Sequence, residues 1–311
     1  MESLNLENHQ KSFLQGLENQ GKSFNTIKNY KTDLNIFKQF LTIKGSDFTL
    51  NELNELQVQE YDYFLNKKYN SPNSIRRRVQ ALRIFFDYLI RQGLFDDNPI
   101  KKMLVKPKQV DLPKPTKFEN IIKIYGHLQA QKEAGTDHEK LLISRNILLL
   151  YLTYDGGLKV SDIESLKTTH ISKRDDEYRI IIVPEKRDPY TVLMSKNFGQ
   201  FYQEYLTLLE EGQNRDKIDF ESHLFNANPF KILKGGLSSR GIEVIFKELS
   251  KTLKIEVTAK SLRQAAIFNW MIKEIPSSRI KEWMGVQPQY SLKPFQELLS
   301  NYPDRYPYLD L

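Results

Sequence analysis

The chain has 311 residues, no cysteine and five histidines, and its 46 Lys/Arg against 39 Asp/Glu give a net charge of +7. Without cysteine there are no disulfide scaffolds, thiolate nucleophiles or sulfur-ligated zinc and iron–sulfur sites. His9, His127, His138, His170 and His223 are too scattered for a metal motif, so neither a metal nor another cofactor is expected. No apolar run reaches the roughly 20 residues that cross a bilayer, and the opening MESLNLENHQKS lacks the basic and apolar regions of a signal peptide. A soluble cytoplasmic protein with no membrane partner is the expectation.

The charge is uneven. Residues 1–115 carry 18 Lys/Arg and 13 Asp/Glu, so they hold +5 of the +7. The stretch 101–115, KKMLVKPKQVDLPKP, has three prolines, five lysines and one acid with no periodic pattern, which predicts an extended linker. Fully stretched it reaches roughly 50 Å, enough to pass from one face of a duplex to another. The predicted division is a basic domain over 1–100, a basic linker over 101–115 and a larger domain over 116–311.

In the first domain, Ser23–Leu41 places Ile27, Tyr30, Leu34, Phe37 and Leu41 three and four apart, the stripe of an amphipathic helix. Shorter pieces over Leu50–Glu55 and Val58–Leu65 follow. Ser74–Leu89 repeats the pattern with Ile75, Val79, Leu82, Phe86 and Leu89, for four helices in all. Beyond the linker, Thr116-Lys-Phe-Glu119 has the form of a capping box opening a helix to about Gln131. A strongly apolar helix over Glu139–Tyr154 stops at Asp155-Gly156-Gly157, and a short one spans Val160–Leu166. Tyr178–Val183 and Tyr190–Met194 read as a hairpin around Pro184–Pro189. Helices are predicted over 197–210, 238–253 (capped by Ser238 after the Gly235-Gly236 turn), 259–273 and 277–285, and the Pro- and Tyr-rich tail 301–311 is predicted non-helical. The fold class is mainly α with a small antiparallel sheet.

Lys67, Lys68, Arg76, Arg77, Arg78 and Arg83 are six cations with no acid from 67 to 83. A lone charge run is usually a solvated helix face. Three consecutive arginines at a helix N-terminus, however, oppose a macrodipole that already favours anions there, and a phosphate partner relieves the conflict.

The string Ser23-x-x-Thr26-x-x-x-Tyr30-x-x-Asp33-Leu34-x-x-Phe37-x-x-Phe40-Leu41, followed by Ser74…Ala81-Leu82-Arg83-x-Phe85-Phe86-x-Tyr88-Leu89 and Asn98-Pro99, resembles the core-binding domain of tyrosine recombinases, the phage integrases. The resemblance implies a two-domain clamp on duplex DNA. It extends into the second domain with departures. Gly157-Leu158-Lys159-Val160-Ser161-Asp162 stands where the family has Gly-Leu-Arg-x-x-Glu. Lys186 matches the lysine on the hairpin turn. Lys260-Ser261-Leu262-Arg263-Gln264 keeps only Leu and Arg of His-x-Leu-Arg-His, and Met284-Gly285-Val286 replaces Leu-Gly-His or Leu-Gly-Trp. Nine or ten residues after that glycine, where the family has its nucleophilic tyrosine, stand Pro294 and Phe295.

In the family that tyrosine forms a covalent phosphotyrosyl link with DNA while two arginines and a Lys/His pair hold the phosphate charge. Phe295 has no oxygen, Lys159 lacks a bidentate fork, and Val286 donates no hydrogen bond. Lys159, Lys186, Lys260 and Arg263 still form a cationic pocket. Lys101, Lys102 and Arg240 complete the expected DNA contacts, with the helices over 74–89 and 238–250 as groove candidates. The expectation is a chain that is not an enzyme: a sequence-specific duplex-DNA-binding repressor maintaining lysogeny, similar in its losses to the integrase-like repressors of SPβ-group prophages. Assembly of several copies on DNA and an antirepressor partner are compatible with it. The alternatives are an active recombinase using Tyr290 or Tyr302, and an architectural accessory DNA-binding protein.

Overall fold

The computed structural model describes residues 6–45, 53–104, 107, 112–184, 188–216, 224–225 and 236–301. The chain divides into two units, residues 1–111 and 112–311.

The first unit contains α1 (Leu6–Asn19), α2 (Phe24–Lys44), α3 (Glu55–Lys68) and α4 (Pro72–Arg91), then a 3-10 turn over Pro99–Lys102. The starts of α2, α3 and α4 have local causes. Ser23 accepts the Thr26 N–H, Asn54 and Gln57 form a reciprocal capping box, and Ser71 caps α4 with Pro72 behind it. The apolar stripe of α4 is buried as its periodicity predicts, and Phe37, Tyr61, Phe85 and Phe86 meet at the centre of the core. The helix α1, which no capping signal announces, buries Phe13 and Leu17. The predicted helix over Leu50–Glu55 is corrected in part: 50–52 lie outside the described residues, Leu53 is buried, and Asn54 is the cap of α3 rather than a helical residue.

The linker starts later than composition suggests. Ile100 and Met103 are buried in the first core, so the chain is anchored through 103. Asn98 holds this turn: its side chain accepts the Ile100 N–H at 3.0 Å and donates to the Arg83 carbonyl oxygen and to Asp87. At the far end the Thr116 N–H donates to the Ser261 carbonyl at 3.0 Å, and the two hydroxyls lie 2.7 Å apart. Thr116 is therefore tied to a distant helix instead of capping its own, which starts from Lys117 without a side-chain cap. This corrects the capping box read at 116–119.

The second unit comprises α5 (Phe118–Ala134), α6 (Asp137–Tyr154), α7 (Val160–Glu164), β1 (Ile171–Arg174), β2 (Glu177–Ile182), β3 (Tyr190–Leu193), α8 (Phe198–Asp216), α9 (Ser239–Leu253), α10 (Ala259–Ile272), α11 (Ser277–Trp283) and α12 (Lys293–Asn301). Its central element is α6, buried on every side from Ile147 to Tyr154 and packed against α5, α8 and α10. The sheet is antiparallel in the order β1-β2-β3, with Ile180 opposite Ile171 on one side and Val192 on the other. Alternation along β2 buries Tyr178, Ile180 and Ile182. The pairing of β2 with β3 matches the predicted hairpin, whereas β1 escapes the pattern. It is joined to β2 through Asp175 and Asp176, both at positive φ, a turn more often marked by Asn-Gly. The α12 helix was also unforeseen, and the tail from 302 lies outside the described residues. The fold is thus mainly α with one small antiparallel sheet.

Candidate nucleic-acid interface

The first residues of α7, the face of α9 and the first turn of α10 enclose a cleft of about 520 Å³ in the second unit. Lys159, Arg240, Lys247, Lys260 and Arg263 line it, and Glu243 is the one acid among the lining residues. Arg240, Glu243 and Lys247 share a face because they are spaced three and four along α9, whose opposite face buries Ile242, Phe246 and Leu249. Arg240 pairs with Glu243 at 3.4 Å, but both are exposed and such a pair contributes little. Cations gathered in a partly apolar wall repel one another and focus field on an incoming anion. Lys247 was not singled out in the sequence; its place seven residues after Arg240 is the signal that could have found it.

Arg263 is fixed rather than free to swing. Its Nε donates to the Gly157 carbonyl and a terminal nitrogen donates to the Met284 carbonyl, each at 2.7 Å. It thereby joins the Gly157-Leu158-Lys159 segment to the Met284-Gly285-Val286 segment. Gly157 has φ +59°, and a Cβ there would sit 2.3 Å from the Trp270 ring, so both its conformation and its neighbour require glycine. Lys159 extends across the same seam, its Nζ 3.4 Å from the Gly285 carbonyl. Asp162, on α7, is buried and accepts the Lys159 N–H at 3.3 Å and the Tyr190 hydroxyl at 3.1 Å. The structure therefore brings Lys159, Lys260, Arg263 and Arg240 together. Lys186 lies outside the described residues.

Phe295 sits on α12 at 5% exposure with its ring 5.7 Å from that of Phe268, among Ile267, Met284 and Leu292. Val286 packs at the edge of the same cluster. Tyr290 is different: it is 41% exposed and lies in the segment that leads away from the Met284–Val286 turn, its N–H bound to the Gln287 carbonyl at 2.9 Å. Tyr302 lies outside the described residues.

In the first unit the basic run separates into distinct roles. The α4 helix begins at Pro72, two residues earlier than predicted, so Arg76–Arg78 sit beyond its first turn and the dipole conflict argued from sequence is weak. Arg78 is a correction to the expected DNA contacts: it is buried, its guanidinium stacks on Tyr69 and it donates to the Ser74 carbonyl. Arg83 is a second. It donates to the carbonyls of Ile100, Lys101 and Met103 and so fastens the 3-10 turn to α4. Arg77 pairs with Asp33 at 2.9 Å but keeps its side chain 43% exposed, and Arg76 is half-buried. Lys67, Lys68, Lys101 and Lys102 are exposed, with Lys68 donating to Gln39 and Lys102 lying 3.8 Å from Glu55. Among the described residues no group of His, Asp and Glu could hold a metal ion, and no helix is long and apolar enough to cross a membrane.

Residues 5–105 match the family model of the phage integrase SAM-like domain. Tyrosine recombinase XerD of Listeria monocytogenes is 26% identical over 237 residues, covering 72% of this chain and 74% of that protein. Tyrosine recombinase XerC of Lacticaseibacillus casei is 28% identical over 266 residues, covering 84% of this chain and 83% of the relative. Among solved structures, a lambda integrase dimer bound to a COC' core site superposes with a TM-score of 0.67 at 14% identity, over 94% of this chain and 76% of that one. XerH recombinase bound to its difH substrate gives 0.66 at 16% identity, over 89% and 78%. At these identities the structural likeness speaks to the fold alone. Residues 5–105 thus carry the signature of a phage integrase SAM-like domain, and over most of its length the chain is similar in sequence to tyrosine recombinases.

These relationships correct two expectations. The chain was read from Lys159, Val286 and Phe295 as no enzyme, and as a repressor for the same reason. Instead its similarity to recombinases spans most of its length. The physical reason is that the replacements change single side chains and leave the cationic cleft and the fixed Arg263 in place, with an exposed tyrosine in the adjoining segment.

Proposed function

We propose that the protein is a site-specific tyrosine recombinase acting on duplex DNA, with Tyr290 as nucleophile. The observation that carries the proposal is the cleft in which four cations converge beside the guanidinium of Arg263, itself clamped at two carbonyls. A scissile phosphate seated there meets Arg263, Lys159 and Lys260, with Lys186 as the further charge that the resemblance implies, and these charges stabilise the phosphorane-like transition state. The Tyr290 oxygen bonds to phosphorus and gives up its proton; the phosphorus–deoxyribose oxygen bond breaks, and the leaving oxygen takes its electron pair and a proton. The reverse reaction with a different strand end completes exchange.

Residues 1–103 act in this reading as the basic DNA-binding domain, joined to the second unit by the linker that follows, with Lys67, Lys68, Arg76, Arg77, Lys101 and Lys102 supplying phosphate contacts and salt-sensitive affinity. Solved structures of similar fold are described as a dimer on a core site and a tetramer on a Holliday junction, which supports assembly of several copies on DNA; a cytoplasmic location goes with that reading. The test is a nicked suicide duplex carrying the bound site. A denaturant-resistant protein–DNA adduct is expected, lost in Tyr290→Phe and kept in Tyr302→Phe. Absence of an adduct on a duplex that the protein demonstrably binds overturns the recombinase reading.

A further inference from the structure

Four residues of the second unit close a ring, and one of them, Tyr190, belongs neither to the motifs of the resemblance nor to the cleft lining. The Tyr190 hydroxyl, on β3, donates to Asp162 at 3.1 Å. The same oxygen of Asp162 accepts the backbone N–H of Lys159 at 3.3 Å. The Lys159 ammonium reaches the Gly285 carbonyl at 3.4 Å. Gly285 lies against the Tyr190 ring so closely that a Cβ would stand 2.8 Å from it, and its φ of +56° is one that glycine adopts without cost. Both ends of Lys159, its backbone and its charged tip, are therefore placed through groups that Tyr190 holds, one by its hydroxyl and one by its ring face.

Asp162 is buried, so its carboxylate depends on these donors: removing one from a buried acceptor costs far more than an average exposed hydrogen bond. We infer that Tyr190 is a positioning residue for the cleft, setting Lys159 against the DNA phosphate through Asp162 and Gly285. This rests on the DNA-binding part of the proposed function and adds a residue to it. A lysine tip at 3.4 Å from its carbonyl is held only weakly by that contact, so the placement of its backbone decides where the charge points.

The experiment is a double-mutant cycle on duplex affinity across a salt series, using the whole chain with Tyr190→Phe, Lys159→Ala and both together. Lys159→Ala is expected to reduce the salt slope by about 0.9, the loss of one phosphate contact. Tyr190→Phe keeps the ring against Gly285 and removes only the hydroxyl. It is expected to weaken binding by about three- to tenfold and flatten the slope in the same sense, on the scale of one ordinary hydrogen bond. In the K159A background it should change affinity by less than about 1.5-fold, which is the coupling signature. A purely structural tyrosine would lower affinity equally in both backgrounds, and that outcome overturns the inference. Should Tyr190→Phe fail to fold, Asp162→Asn enters the same cycle with the same two outcomes. If the unsubstituted protein binds no duplex, the DNA reading falls and this inference with it. If it binds but the cycle is additive, only the inference falls, and the adduct experiment is unaffected.

Discussion

The guanidinium of Arg78 lies 3.6 Å from the centroid of the Tyr69 ring, a stacked cation–π contact inside the first unit. Its neighbour Arg77 pairs with Asp33 at 2.9 Å, the same carboxylate oxygen that the Arg78 Nε approaches at 3.8 Å. The two adjacent arginines differ in burial: the Arg78 side chain is 9% exposed and that of Arg77 43%. Arg78→Ala removes the stack, the bond to the Ser74 carbonyl and the buried stem, and is expected to destabilise the first unit by about 2–4 kcal/mol. Arg77→Ala should cost under about 1 kcal/mol, since its side chain is partly solvated and Arg78 remains beside Asp33, while lowering the salt slope of DNA binding by about 0.9. Urea unfolding and filter binding on the two variants check the split; equal stability losses would refute it.

Asp33 gives the first unit a pH dependence of definite sign. Burial raises its pKa, and the charges of Arg77 and Arg78 only partly oppose that. The folded state therefore holds the proton to a higher pH than the unfolded chain does. Its stabilising contribution is complete below the ordinary aspartate range and is lost as pH rises through the raised folded value. Asp33→Asn, a neutral isostere, is expected to cost little at pH 7 and to flatten the stability profile from about pH 4 upward. Denaturant midpoints measured across that range decide it; a loss above about 3 kcal/mol at neutral pH would mean that the ion pairs outweigh burial.

Periodicity was enough to place α2, α4 and α6 because each buries a continuous stripe or a whole circumference, and that is what spacing encodes. Legibility ends where a residue's partner is distant in sequence. Thr116 carries the spacing of a cap yet spends its hydroxyl on Ser261, and Arg83 carries the charge of a DNA contact yet spends it on three carbonyls of a 3-10 turn. In the site, resemblance points to Lys159, Lys260 and Arg263, and Arg240 lies on the helix expected to contact a groove. Lys247 and Tyr190 were missed, since one belongs to an ordinary amphipathic face and the other acts through Asp162 and Gly285, 28 and 95 residues away in sequence. An ordinary hairpin tyrosine carries no local mark of such a role.

Gly157 joins helix, cleft and core at one backbone position. Its carbonyl anchors Arg263 while its α-carbon lies against Trp270, and its φ is +59°. Gly157→Ala must move either the indole or the backbone, so a destabilisation of at least about 2 kcal/mol is expected, more than the roughly 1 kcal/mol of a left-handed alanine alone. Because the shift passes to Arg263, adduct formation should fall more steeply than duplex affinity. A variant that keeps full stability and full adduct yield would show that the glycine is not required.

Phe295 offers the sharpest discrimination between nucleophiles. It is 5% exposed and held by Phe268 and the cluster around Leu292, while Tyr290 presents its ring to solvent five residues earlier. Phe295→Tyr would insert a hydroxyl into that packing, and with no acceptor built for it the cost should be about 1–3 kcal/mol. With Tyr290 as the attacking group, the substitution adds no new covalent product, and peptide mapping of the adduct should find phosphotyrosine at 290 in both proteins. A Phe295→Tyr variant that forms adduct where the unsubstituted protein forms none would instead locate the reactive position on α12. It would also mean that the cleft already holds DNA in a geometry that needs only that oxygen, and the assignment of Tyr290 would be withdrawn.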